Sequence, residues 1–294
     1  MRIKTKYLIF SKGTILNWSI LLPHYRMKKE NQFSGKVAWI TGASSGIGEA
    51  LVHEFIRRGA IVIASSNDKP GLERVKSECG DKSWLVHCIP FDLSDMTGIE
   101  DIVEQQVKSY GRIDFLLNIG GISQRARIDE TPLWLDRKIF EINYFGTIAL
   151  SKAVLPYMVR QRSGHILATS SISGRFGFPL RSSYSASKQA LHGFFETLYL
   201  ENKKFNIKAS VIIPGRVRTS ISFHALDAEG KEHGKLDEGQ AKGVLPQRAA
   251  EIIIKGMARN KREILVGKNE LIMLYIRRYF PWLFFRIADK IKSM

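Results

Sequence analysis

The stretch Val37-Ala38-Trp39-Ile40-Thr41-Gly42-Ala43-Ser44-Ser45-Gly46-Ile47-Gly48 decides how the rest of the chain is read. Four apolar residues in a row, 37–40, suit a strand covered on both faces. A glycine-studded turn follows at once, and 49–58 has the pattern of a helix. Strand, tight turn and helix in that order aim backbone N–H groups and the positive helix end at an anion. Gly42 permits the turn, Gly46 lets a pyrophosphate approach the backbone, and Gly48 lets the helix pack close to the strand. The spacing is G-x-x-x-G-x-G rather than G-x-G-x-x-G. Taken alone, such a turn is a phosphate cradle or only a turn; its place behind a buried strand favours the cradle.

Outward from this unit the pattern repeats. Apolar, β-rich runs at 60–64, 84–89, 113–117, 165–169, 208–213 and 263–266 alternate with helix-length segments at 46–58, 71–79, 95–110, 132–161, 183–204 and 246–260. Alternation of this kind predicts an α/β fold, a single doubly wound Rossmann-type parallel sheet with helices on both faces. No Pro/Gly/Ser linker splits the chain and no repeat is visible. The expected organisation is a leader over 1–30, one nucleotide-binding catalytic domain over 31–268 and a tail over 269–294.

Of the 294 residues, 44% are hydrophobic and 25% charged, as in an ordinary globular protein. Two cysteines, Cys79 and Cys88, form no disulfide framework, so a reduced, cytoplasmic setting is expected. The net charge of +17 raises the question of nucleic acid. Its distribution argues against that partner, because the excess is gathered in 1–30 and 255–294 and no nucleic-acid-reading motif accompanies it. Both ends are also rich in aromatic and aliphatic residues. That composition fits an anionic membrane surface, and equally a solvated basic face. Residues 1–26 are too broken for a spanning helix and carry no cleavage site. We expect an unfolded leader, or a start of translation at Met27 in place of Met1.

A second group lies further on. Tyr184-Ser185-Ala186-Ser187-Lys188 puts a phenol and an ammonium on one helical face, one turn apart. A nearby cation favours phenolate, as an acid/base working near neutrality requires. Ser171, in the turn Ser170-Ser171-Ile172-Ser173-Gly174, is placed to donate to a substrate oxygen, and Asn143, inside a helical pattern, to hold a water that relays a proton. Each has a bland reading as a surface pair, a serine turn or a satisfied core amide. Their order behind the glycine turn favours chemistry.

With Asp92-Leu93, Asn118–Gly121 and Pro214-Gly215…Thr219 added, the chain resembles the short-chain dehydrogenase/reductase family over roughly residues 35–266. Within it the chain looks most like the dehydrogenase/reductase member 7 branch, on Gly121–Arg125, Asn143–Gly146 and Phe280–Phe285. The resemblance implies an NAD(P)(H)-dependent oxidoreductase interconverting a carbonyl and an alcohol on a lipophilic substrate. Catalytic roles would fall to Asn143, Ser171, Tyr184 and Lys188. Contacts to the cofactor would come from Gly42, Ser44, Ser45, Gly46, Ile47, Gly48, Ser66, Asn67, Asp92, Leu93, Asn118, Gly120, Tyr184, Lys188, Pro214, Gly215, Val217 and Thr219. Where the family has Asn-Asn-Ala-Gly, this chain has Asn118-Ile119-Gly120-Gly121, and the lost amide should cost local stability. The alternative is a cofactor-binding regulatory or scaffold protein without turnover, which the intact Ser171/Tyr184/Lys188 set disfavours.

No carboxylate follows the second strand directly in Ala64-Ser65-Ser66-Asn67-Asp68-Lys69, which favours NADP(H) over NAD(H). Residues 220–243 are long for a loop and read as a lid, with Arg125 and Phe223 lining the pocket; a plain surface loop fits nearly as well. His224 and His233 lack further ligands at metal spacing, and no metal site is expected. In the tail, Pro281 should break the helix near Phe280. Its aromatics and Arg277, Arg278, Arg286 and Lys290 suit peripheral membrane contact, with a roof over the pocket or a subunit contact as alternatives. A homodimer or homotetramer through 132–161 and 183–204 is what the family implies.

Overall fold

A computed structural model describes residues 32–288 of the chain; the leader and the last six residues, with Lys290, lie outside them. Seven parallel strands form one sheet in the order β3-β2-β1-β4-β5-β6-β7. They are β1 Val37–Thr41, β2 Ile61–Ser65, β3 Val86–Cys88, β4 Phe115–Asn118, β5 Gly164–Thr169, β6 Ile207–Pro214 and β7 Glu263–Val266. The helices are α1 Gly46–Arg57, α2 Lys69–Glu78, α3 Ile99–Tyr110, α4 Leu133–Phe140, α5 Gly146–Gln161, α6 Ser182–Asn202, α7 Glu238–Ala241, α8 Pro246–Ala258, α9 Ile272–Tyr279 and α10 Pro281–Ala288. The doubly wound sheet expected from the alternation is the one observed.

All five residues of β1 are buried, because helices cover the strand from both sides. Leu51, Val52 and Phe55 of α1, Leu72 and Val75 of α2, and Ile253, Ile254 and Met257 of α8 fill one core cluster. Val103 of α3, Leu150, Val154 and Met158 of α5, and Leu191 and Phe195 of α6 fill the other. Trp39 is fully buried in β1, and its indole N–H donates to Ser65 Oγ at 2.9 Å, which satisfies its one polar atom inside the core.

The sheet runs outward in both directions from β1 and β4, where the strand order reverses. Ligands bind at such a switch point, in the crevice beyond the carboxyl ends of the strands. The turn after β1 and the loop after β4 flank that crevice.

Three expectations about local structure are corrected. The run 84–89 forms strand only over Val86–Cys88; Trp84 lies in a 3-10 turn, 70% exposed. Residues 132–161 are not one regular helix. A five-residue π-turn, Glu141–Phe145, separates α4 from α5 and carries Asn143. The plain surface loop offered as the alternative for 220–243 is not what forms, since the segment is pinned. Leu226 N–H donates to the Ser123 carbonyl at 2.9 Å, its own carbonyl accepts from Arg125 N–H at 2.8 Å, and α7 closes the segment. The proline break comes where expected, with α9 ending at Tyr279 and α10 starting at Pro281.

Candidate active site

Beyond the carboxyl ends of β1, β4 and β5 lies a cavity of about 580 Å3. Its walls include Gly42, Ser44, Ser45, Gly46, Ile47 and Gly48 from the first turn, with Ser66, Asn67, Asp92 and Leu93 at one end. Gly120, Pro214, Gly215, Val217 and Thr219 continue it toward Ser171, Tyr184 and Lys188. Of the cofactor contacts expected from sequence, all but Asn118 lie along this one path, with Tyr184 and Lys188 closing it.

The first turn is built for close approach. A methyl group on Gly48 would lie 2.0 Å from the Gly42 carbonyl oxygen, so α1 can start against the turn only with glycine there. The Thr41 hydroxyl accepts from the N–H groups of Ile119 and Gly120 at 3.1 and 3.2 Å, which fixes the loop after β4 against β1. A nicotinamide dinucleotide fits this architecture: a glycine cradle at a helix start, hydroxyls of Ser44 and Ser66 3.0 Å apart, and a cavity leading on to a phenol and an ammonium. Ile119 packs against the core below the turn, its own backbone N–H satisfied by Thr41.

Two of the proposed site residues act from behind the wall. Asn118 does not line the cavity; its amide donates to Ser151 Oγ and to the Leu167 carbonyl, both at 3.1 Å, tying β4 to α5 and β5. Asn143 is fully buried in the π-turn. Its Oδ1 accepts from Ile122 N–H at 2.9 Å, while Nδ2 donates to the Ile122 carbonyl at 3.0 Å and to Ser187 Oγ at 3.2 Å. The extra residue of the π-turn re-aims this amide, as such turns do at functional sites. Gly121 is what lets the parts meet, since a methyl group there would lie 2.7 Å from Asn143 Oδ1 and 3.0 Å from Lys188 Nζ.

Tyr184 and Lys188 sit on α6, both buried. Lys188 Nζ donates to the Thr169 carbonyl at 2.8 Å and stands 6.0 Å from the Tyr184 ring centroid. Burial lowers the Lys188 pKa from 10.5 to about 8. The phenol departs from expectation: burial raises its pKa, and the opposing influences come from the Ser171 hydroxyl and from Arg181 and Arg125, not from Lys188. Desolvation outweighs the cations because the phenol is enclosed. Ser171 also caps the short turn Ile172–Gly174, accepting from Ser173 N–H at 3.1 Å.

A second cavity, about 150 Å3, adjoins Tyr184 and shares Ser171, Tyr184, Gly215, Ile221 and Gln240 with the first. Arg125 lines it as expected. Phe223 lines neither cavity and is 42% exposed. The sequence reading missed Arg181, Asp237 and Glu270, which also face this space. It left the tail's place open; Met273, Phe284 and Ala288 form part of the wall, with the Phe284 ring tilted against Phe176 at 4.8 Å between centroids. Glu270 anchors the tail by accepting from Arg216 N–H at 2.8 Å. His224 is exposed and bonded to Glu232 at 2.8 Å, whereas His233 is only partly exposed. Among the described residues, Glu49, His53 and Glu78 converge at metal-ligand spacing, but the Arg74 guanidinium bridges both carboxylates there.

Comparison with known proteins agrees with this fold. The family model for short chain dehydrogenase matches residues 36–229. A Drosophila melanogaster dehydrogenase/reductase SDR family protein 7-like is 41% identical over 268 residues, covering 90% of this chain and 82% of that one. Mouse dehydrogenase/reductase SDR family member 7B is 37% identical over 267 residues, covering 89% and 83%. Among solved structures, a short-chain dehydrogenase/reductase from Burkholderia phymatum in complex with NAD superposes with a TM-score of 0.76 at 23% identity, over 86% of this chain and 96% of that one. An alcohol dehydrogenase from Thermococcus sibiricus complexed with 5-hydroxy-NADP gives 0.68 at 24%, over 80% and 97%. Those two likenesses bear on the fold alone. With the matching model, the relatives and the cavity in agreement, the chain belongs to the short-chain dehydrogenase/reductase family of oxidoreductases, in the branch of members 7 and 7B.

Proposed function

We propose that the chain reduces a carbonyl on a lipophilic substrate, or oxidises the corresponding alcohol, with Tyr184 as the acid/base. The observation that carries this is the convergence of Tyr184, Ser171 and Lys188 where the glycine-walled cavity meets the smaller, partly apolar one. A bound nicotinamide nucleotide supplies or accepts the hydride. Ser171 Oγ donates a hydrogen bond to the substrate oxygen and sets its position. Tyr184 Oη then gives that oxygen a proton in reduction, or takes one in oxidation. A raised phenol pKa keeps Tyr184 protonated at neutral pH, the form that serves reduction. Lys188 commits one N–H to Thr169 and keeps two for the ribose hydroxyls. Asn143 fixes the loop and the helix that carry these groups, and a water beside it is the proposed route for proton resupply.

The cofactor we infer is NADP(H), with NAD(H) as the lesser substrate. Support comes from Ser66 at the end of β2, whose hydroxyl pairs with that of Ser44. Asp68, the nearest carboxylate in sequence, caps α2 through Gly71 N–H at 3.0 Å. Michaelis constants for the two nucleotides decide this, and a clear preference for NADH overturns it. We further propose a cytoplasmic homo-oligomer touching membranes peripherally through the tail, whose outer face exposes Tyr275, Tyr279, Trp282 and Phe285 beside arginines. No helix among the described residues is long and apolar enough to span a bilayer.

The test of catalysis is Tyr184→Phe, assayed over a panel of ketones and aldehydes with both nucleotides. General acid catalysis contributes roughly 100- to 10,000-fold, so turnover should fall by that order while nucleotide binding persists. Equal rates for variant and parent remove the mechanism.

A further inference from the structure

The smaller cavity carries more positive charge than its own carboxylates balance. Three arginines and two acids line it: Arg125, Arg181, Arg216, Asp237 and Glu270. Glu270 is committed to the Arg216 backbone N–H. Between Arg125 and Arg181 stands Asp237, whose Oδ2 accepts from Arg125 Nη2 at 2.6 Å and from Arg181 Nη2 at 2.9 Å. Two guanidiniums share it, and their side chains are only 5% and 11% exposed.

Arg125 is also incompletely bonded. Its Nη1 donates to Ser123 Oγ at 2.9 Å and to the Gln124 carbonyl at 2.6 Å, but Nε–H is buried with no acceptor. A buried N–H without a partner is rare and costly, more so on a charged group. Burial, with Arg125 second, pushes the Arg181 pKa down to about 10, which is the same surplus of positive charge expressed on its neighbour. A fold that encloses two cations with one anion, and leaves a donor over, is complementary to a second anion. An apolar stretch of the same wall is formed by Phe176, Phe178, Met273 and Phe284, with Ser123, Ser173 and Gln240 among the polar remainder.

We propose that Arg125 and Arg181 form an anion subsite, and that the substrate is an acid-bearing aliphatic carbonyl compound, its carboxylate or phosphate held by the guanidiniums and its carbonyl turned toward Ser171 and Tyr184. The carbonyl half of this statement rests on the reductase reading; the anion half does not. Planar guanidiniums recognise either acid through paired N–H donors. Asp237, carried on the segment that closes over the cavity, is the internal counter-ion that keeps the pair buried between substrates.

Two measurements on the full-length chain test the proposal. In the first, turnover of a γ-keto fatty acid is compared with that of its methyl ester, for the parent and for Arg125→Gln and Arg181→Gln. The parent should prefer the acid in kcat/KM by roughly 10- to 100-fold, the worth of a charge-assisted contact. The preference should act through KM and collapse in both variants. Ester and acid reduced equally by the parent, or a preference that survives both substitutions, overturns the subsite while leaving the reductase intact. In the second, laurate, decyl phosphate and dodecanol are titrated calorimetrically into the parent loaded with NADP+. Laurate or decyl phosphate should bind at least tenfold tighter than the alcohol, and which of them leads identifies the acid. Equal affinity for all three overturns the subsite. If neither ketone turns over, the titration alone decides the subsite, and the reductase reading is decided by the wider carbonyl panel.

Discussion

Lys188→Met separates what the lysine costs the fold from what it gives the site. Lys188 is enclosed, and its pKa falls from 10.5 to about 8. That drop corresponds to about 3 kcal/mol of penalty for holding the ammonium in the folded chain. Methionine keeps the length and removes the charge, but leaves the Thr169 carbonyl without its donor, a loss of about 1 kcal/mol. At pH 7 the variant should therefore be more stable than its parent by about 2 kcal/mol, measured by urea denaturation, and nearly inactive. The dependence on pH has a definite sign. Between about 8 and 10.5 the unfolded chain still holds the proton that the folded chain has released. Parental stability therefore rises with pH across that window, and the variant's advantage shrinks. A variant less stable than its parent at pH 7, or an advantage unchanged at pH 9.5 (a pH about midway through the window), refutes the reasoning.

Gly48→Ala should weaken nucleotide binding by more than about tenfold and lower Tm, because its methyl group would lie 2.0 Å from the Gly42 carbonyl oxygen; unchanged fluorescence titrations of NADPH would show that the turn yields. Acid should destabilise the chain through His165 and His192, whose pKa values burial lowers from 6.5 to about 3 and about 4. The neutral rings stabilise fully above pH 6.5, and His165 alone should cost about 2 kcal/mol by pH 5, so denaturation midpoints that are flat from about pH 7 to about pH 5, partway down the window, contradict this. The tail offers opposed outcomes. Phe284→Ala, an inward side chain, should raise KM for carbonyl substrates, whereas Trp282→Ala with Phe285→Ala, outward ones, should weaken sedimentation with phosphatidylserine vesicles; unaltered vesicle binding ends the membrane proposal.

The nucleotide side of the site was legible in sequence because its signals are local. The glycine turn lies within eight residues of β1, and Tyr184 and Lys188 are one helical turn apart. What escaped depends on contacts between distant residues. Arg125 and Asp237 meet across 112 positions, and no periodicity marks either as a partner. Asn118 was expected at the cofactor and Asn143 in a proton relay, yet the Asn118 amide turns to Ser151 and Leu167, because which way an amide points is decided by packing. The π-turn at 141–145 leaves helix-like hydrophobic spacing on both sides, so the sequence reads as one helix there. Trp84 misled for the opposite reason: an apolar run looked like strand, yet the indole faces solvent.

The two halves of the cavity are made of different materials, and this bears on what can vary. The nucleotide half is lined largely by backbone and short hydroxyl side chains at the ends of β1, β2 and β4, held by groups such as Thr41 that have no room to move. Substitution there meets backbone, as at Gly48. The substrate half is closed by long side chains drawn from the loop after β4, the start of α6, the 220–243 segment and the tail. Those elements are tied to one another through side chains, Arg125 and Arg181 to Asp237 and Glu270 to the Arg216 backbone, and through the backbone bonds of Leu226 with Ser123 and Arg125. A change in one of them alters charge or shape without disturbing the sheet. On the proposed function, proton and hydride chemistry falls to the rigid half and substrate choice to the replaceable one, so the unpaired Arg125 Nε–H bears more on the proposed substrate than Tyr184 does.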